Sequence, residues 1–98
     1  MIVRTQCKGH AVTALRVGRQ NAHRYFAPSA ASIELQIDDL RIECFLPPEF
    51  WRGHPEIRDE RLCSWLEFKQ HQDQSAHAPI TLALTPSGEN SYRLAKIH

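Results

Sequence analysis

Apolar and polar positions alternate most regularly between Ile33 and Leu46. A two-residue turn at Asp38-Asp39 sets Ile37 opposite Leu40, Leu35 opposite Ile42 and Ile33 opposite Cys44, which makes one face of the hairpin wholly apolar. The other face pairs Gln36 with Arg41 and puts Glu34 opposite Glu43, a like-charge contact that calls for a base nearby. The basic N-terminal third of the chain is the expected source. Asp-Asp is a poorer turn than Asp-Gly because both central residues need positive φ, so a longer loop of the same register is the alternative.

A second hairpin is expected over residues 80–97. Ile80, Leu82 and Leu84 alternate, Pro86-Ser87-Gly88-Glu89-Asn90 forms the loop, and Tyr92 and Leu94 resume the pattern, with Leu84 facing Tyr92 and Leu82 facing Leu94. Between the hairpins, Leu62, Trp65, Leu66 and Lys69 recur at helical spacing. They predict one main helix near 56–70 that starts near Pro55 or is capped by Asp59 and buries Leu62, Trp65 and Leu66. Pro48 opens a shorter helical turn before it, carrying the adjacent aromatics Phe50 and Trp51. Gln70 to Ala78 reads as a polar surface loop.

The first third is less regular. Ile2 to Cys7 is a strand, followed by a turn at Lys8-Gly9-His10. Residues 11–17 fit either a strand or a helix, and the His-Arg-Tyr-Phe centre of residues 22–27 suits a strand. Pro28 to Ser32 is a linker of small residues, too short to divide domains. The sum is a single α+β domain over residues 1–98, a small antiparallel sheet or partly open barrel with one main helix. The order of elements, with a helix between the third and fourth of five strands, parallels the plan of an OB barrel, many of which bind single-stranded nucleic acid.

Length and composition agree. Ninety-eight residues with 42% hydrophobic and 23% charged side chains support one modest core. The apolar runs are far shorter than the roughly 20 residues needed to span a bilayer, and no signal segment opens the chain, so neither export nor membrane insertion is expected. The three cysteines, Cys7, Cys44 and Cys63, are odd in number and form no CxxC, which fits reduced thiols in a cytoplasmic protein.

Charge changes the picture more. Residues 1–33 hold Arg4, Lys8, Arg16, Arg19 and Arg24 and no acid, whereas the remainder carries eleven acids against seven bases. Such an acid-free stretch either faces a polyanion or docks on acidic parts of its own fold. Interleaved with Tyr25, these cations are the candidate nucleic-acid contacts, since phosphate neutralisation and base stacking use these residue types. The competing expectation is a protein-interaction subunit or homodimer that uses Phe50 and Trp51.

Neither metal nor catalysis finds a pattern. His10, His23, His54, His71, His77 and His98 lack the spacing of a local zinc site. A nucleophile such as Cys63 or Ser87 has no base and orienting group in a recognisable arrangement, and there is no Gly-rich phosphate cradle. No cofactor is implied. A non-catalytic binding module is the working expectation, and a small enzyme built on Cys63 or a histidine cluster is the remaining alternative.

Overall fold

A computed structural model describes residues 1–9, 11–72 and 80–96. Among these described residues seven strands form one nearly closed, barrel-like sheet in the order β4-β3-β7-β6-β1-β2-β5. They are β1 (Ile2–Lys8), β2 (Ala11–Arg16), β3 (Ser32–Ile37), β4 (Leu40–Phe45), β5 (Glu56–Ile57), β6 (Thr81–Gly88) and β7 (Ser91–Lys96). Three helices interrupt them: α1 (Arg19–Tyr25), α2 (Pro48–Arg52) and α3 (Glu60–Gln72), the main one. All ladders are antiparallel except β3 with β7. The run β3-β7-β6-β1-β2 with its one parallel pair follows the strand order of a five-stranded OB barrel, opened where that plan would join β2 to β3. Strands β4 and β5 extend the two open ends.

The β3–β4 hairpin has the register that alternation dictates, Ile37 to Leu40, Leu35 to Ile42 and Ile33 to Cys44, with Asp38 at φ 51° in the two-residue turn. Its apolar face is buried except Leu40 at the turn. Glu34 does face Glu43, but the N-terminal cations do not answer them. Ser91 Oγ and Gln36 Nε2 instead donate to Glu34 Oε1 at 3.3 and 3.4 Å, and Arg61 reaches the Glu43 carbonyl at 3.1 Å.

Strand β1 changes partner halfway. Ile2 to Arg4 pair with β6 and Arg4 to Lys8 with β2, and buried Thr5 secures the change by exchanging hydrogen bonds with Ile80, its N–H to the Ile80 carbonyl and its Oγ1 to the Ile80 N–H, both at 3.0 Å. Residues 11–17 resolve as strand β2. A bulge opposite Gln6 and Cys7 is stitched by Thr13 Oγ1 donating to the Gln6 carbonyl at 3.2 Å.

Three expectations about elements and register need correction. Residues 22–27 are not a strand, because Gly18 at φ 90° turns the chain and Ala22 and Phe26, four apart, must both reach the core. Asn21 Nδ2 donates to the carbonyls of Val17 and Ile2, both at 2.9 Å, and fixes α1 against β1. The last hairpin pairs Leu84 with Leu94 and Pro86 with Tyr92, two residues from the expected register. Its turn is only Glu89-Asn90, with Asn90 at φ 54°, so β6 runs on to Gly88 through a bulge. A slip of two keeps every side chain on its face. Helix α3 starts after Asp59, whose Oδ1 accepts the N–H groups of Arg61 and Leu62, and it continues to Gln72 where a loop was expected. The rest of that expected loop, residues 73–78, lies outside the described residues.

Helix α3 crosses the seam between the open ends of the sheet. Leu62 and Leu66 enter the core, and on one side Glu67 accepts the β2 backbone N–H of Val12 at 3.0 Å. On the other, Arg61 donates to the β4 carbonyl of Glu43, while Trp65 Nε1 and Lys69 Nζ each reach Asp38 at 3.3 Å. Trp65 therefore sits half-exposed on the rim, with Lys69 over its ring, and is not in the core as the spacing predicted. The helix satisfies backbone groups that two free strand edges would leave open.

Candidate anion-binding groove

The open side of the barrel is built by β5, α2 and the start of α1. A hollow of about 710 Å³ lies between the end of β4, α2 and β5. Its walls include Phe45, Glu49, Arg52, His54, Glu56, Arg58 and Asp59. Gly53, His54 and Glu56 also line a second hollow of about 330 Å³, closed by Arg16, Gly18 and Arg19. Arg16 and Gly18 in turn border a shallow third hollow of about 240 Å³ that reaches Ile2 and Arg4. The three hollows adjoin through these shared residues as a groove-like row, whose lining residues include five arginines, Arg4, Arg16, Arg19, Arg52 and Arg58, and three acids, Glu49, Glu56 and Asp59.

Local structure fixes this arrangement. Alternation along β1 and β2 points Arg4 and Arg16 outward, and the ladder sets them directly opposite each other. Gly18 then turns the chain so that α1 begins with Arg19 beside Arg16. The Val17 and Gly18 N–H groups donate to the Pro55 carbonyl at 2.9 and 3.4 Å, which brings the 53–56 segment and its His54 alongside.

Glu56 is the most enclosed acid of the groove, its side chain 8% exposed. It pairs across the ladder with Arg16, whose Nε is 4.0 Å away, and takes Arg58 Nη2 and Nε at 2.7 and 3.2 Å. Gln6, with its amide nitrogen turned to the carboxylate, donates at 2.8 and 3.0 Å. Glu56 is thus saturated and anchors Arg16 and Arg58. Asp59 is occupied by Arg61 at 3.3 Å. Burial alone would raise the Asp59 carboxyl, but the Arg61 side chain and the N–H groups of Leu62 and Arg61 outweigh it and hold the group below its ordinary value. Arg4, Arg19 and Arg52 are exposed at the groove walls.

Of the sequence-predicted contacts, Arg4, Arg16 and Arg19 come together here. Lys8 stands at the end of the β1–β2 hairpin, outside the groove. Arg24 lies in the last turn of α1 with its guanidinium 5.5 Å from the ring centre of Tyr25, which is exposed, and neither lines the groove. Arg52, His54 and Arg58, which join the cluster, were missed because they belong to the acidic remainder of the chain. The pairing of β5 with β2 brings them in, and a two-residue strand leaves no periodic signal.

Among the described residues, none that lines the groove carries a hydroxyl or a thiol. The Cys44 thiol is pushed up to about 12, first by burial and then by the nearby Asp59 carboxylate, and the Cys63 thiol is also raised by burial. Both shifts favour the protonated thiol. Among the described residues no three His, Cys, Asp or Glu side chains gather as a metal site. His10, His77 and His98 lie outside the described residues.

The aromatic pair expected at an interface divides. Phe50 is buried and stacks on Phe26 with ring centres 5.5 Å apart, and Phe26 stacks in turn on Tyr92 at 4.8 Å. Trp51 is half-buried and meets Phe50 edge-on at 5.0 Å. It lines a separate apolar hollow of about 640 Å³ with His23, Ala30, Leu46, Phe45 and Arg52. Phe45, 68% exposed, is the most exposed of the large hydrophobic side chains described.

No protein-family description, curated protein or solved structure matches the chain.

Proposed function

We propose that the protein is a non-catalytic binding module that holds nucleic acid through the groove lined by Arg4, Arg16, Arg19, Arg52 and Arg58. The observation that carries this reading is the convergence of three cations from the acid-free third, Arg4, Arg16 and Arg19, around Gly18, where the groove continues to two more. Three parallel facts support it. The Arg4–Arg16 register holds two like charges together at a cost to the sheet, which an anionic ligand would offset. Two of the three acids are engaged, Glu56 by Arg58, Arg16 and Gln6, and Asp59 by Arg61, and Arg4, Arg19 and Arg52 stand exposed beside them. The strand order is that of barrels which often hold single strands.

No described helix is long and apolar enough to cross a membrane. A cytoplasmic location goes with the nucleic-acid reading and with an odd number of cysteines.

The experiment is titration of a labelled oligonucleotide by fluorescence anisotropy at two salt concentrations. Affinity falls as salt rises, and Arg4→Ala, Arg16→Ala and Arg19→Ala weaken binding while the circular dichroism spectrum stays unchanged. Binding indifferent to salt, or none, contradicts the reading.

A second reading, a protein-interaction subunit, rests on Phe45 and Leu40, which are 68% and 53% exposed on β4, the outermost strand at one end of the sheet. Light scattering separates the two: a dimer that Phe45→Ala dissociates, without oligonucleotide binding, favours this version.

A further inference from the structure

Two hollows of different character share a wall. Phe45 and Arg52 line both the basic groove and the apolar hollow beyond it. A chain molecule held by the guanidiniums therefore passes over Phe45 as it leaves the groove. On the far side it meets Trp51, whose indole is braced by Phe50 edge-on and by the His23 ring at 6.2 Å. Among the described residues no carboxylate lines this hollow, and Arg52 supplies its charge.

We infer that the Phe45–Trp51 hollow seats an unpaired nucleobase of the strand held in the basic groove, which makes the module selective for single strands over duplex. The inference rests on the nucleic-acid reading above and adds the feature that reads the strand. Aromatic walls such as Phe45 and Trp51 can stack on the face of any base, so the seat is tolerant of sequence. An exposed guanidinium at its lip suits a ligand whose next unit is a phosphate. A base inside a duplex has its faces stacked and its edge paired, and it cannot enter a side hollow unless it is first extruded. An apolar peptide has no equal reason to lie beside the guanidinium row, and a second copy of this chain would bring its own guanidiniums against the first set.

The test uses the purified chain and three labelled probes of equal length, about twelve nucleotides, within the span one barrel of this kind holds. They are oligothymidine, an abasic phosphodeoxyribose strand and a duplex. Oligothymidine is expected to bind about tenfold more tightly than the abasic strand, from the order of magnitude of one base stacked on an aromatic side chain. Phe45→Ala removes that difference, so that oligothymidine and the abasic strand bind the variant equally, and Phe45→Trp retains it. Phe45 is exposed, so these variants should fold as the parent does. Equal, salt-dependent binding of oligothymidine and the abasic strand overturns the base seat and leaves the groove reading standing. Failure of all three probes to bind overturns both. A dimer that Phe45→Ala dissociates, with equal probe binding, assigns the hollow to a protein contact and likewise overturns the base seat.

Discussion

Arg4 and Arg16 stand directly opposite each other in the β1–β2 ladder, and Arg4 is also the residue at which β1 exchanges its partner β6 for β2. Their neighbours in the same row are Thr81 on one side and Glu56 on the other, so one carboxylate serves the row, and Arg58 holds it more closely than Arg16 does. A directly opposed like-charge pair lowers the stability of a sheet. Arg4→Thr should therefore leave the free protein equally stable or up to about 1 kcal/mol more stable, since Thr also suits an exposed strand position. The same substitution weakens oligonucleotide binding. Urea unfolding and anisotropy titration of one variant check both halves, and a clear loss of stability would show that Arg4 is held by structure and is not kept for a ligand.

Helix α3 acts as the clasp of the barrel, with Glu67 on the Val12 N–H at one edge and Arg61 on the Glu43 carbonyl at the other. Loss of the Glu67 carboxylate leaves a part-buried backbone donor without its acceptor, which costs about 1–3 kcal/mol. Glu67→Ala should lower stability by that amount and speed exchange of the Val12 amide hydrogen with solvent. Glu67→Gln, whose carbonyl still accepts, should recover much of the loss. An unchanged Val12 exchange rate in the alanine variant would mean that water replaces the carboxylate without penalty.

Asp59 makes the N-terminal end of α3 sensitive to acid. Its folded carboxyl lies below the ordinary value of 3.8, so the stability it contributes is complete above that pH and is lost as pH falls through the lower folded value. Asp59→Ala should cost about 0.5–2 kcal/mol at neutral pH through loss of the cap. Asp59→Asn keeps the cap and loses only the ionic part, so its deficit against the parent should shrink as pH falls below 3.8. Thermal unfolding of the three proteins at neutral pH and near pH 3 checks this, and a deficit of the Asn variant that does not change with pH would contradict it.

The elements that sequence reveals best are those whose stabilising contacts are local. Ile33 to Leu46 supplies its own partner across a two-residue turn, and every pair from Ile37–Leu40 to Ile33–Cys44 follows from alternation alone. In the last hairpin, alternation fixed the faces of Leu82, Leu84, Tyr92 and Leu94 but not the register, because Ser87 and Gly88 can serve equally as loop or as the end of a bulged strand. Residues 22–27 carry strand-forming side chains, yet tertiary demand prevails: only a helix after Gly18 puts both Ala22 and Phe26 inside. Trp65 had the spacing of a core residue, but its N–H found an acceptor in Asp38 at the rim.

The candidate groove was half legible. Charge asymmetry singled out Arg4, Arg16 and Arg19, and it also drew in Lys8 and Arg24, which the hairpin and α1 carry elsewhere. Arg52, at the end of α2, and Arg58, just after β5, flank the two-residue pairing of β5 with β2, a contact between segments about forty residues apart. No local pattern announces such a pairing.

The most direct measurement of the central claim is the slope of the logarithm of oligonucleotide affinity against the logarithm of salt concentration, for the parent chain and for the variant with Arg4, Arg16 and Arg19 all replaced by Ala. Each phosphate neutralised on a single strand contributes a slope of about −0.7, so loss of three contacts should flatten the dependence by about 2. A parent slope near zero, or a triple variant whose slope matches the parent's, would show that these arginines do not hold phosphates.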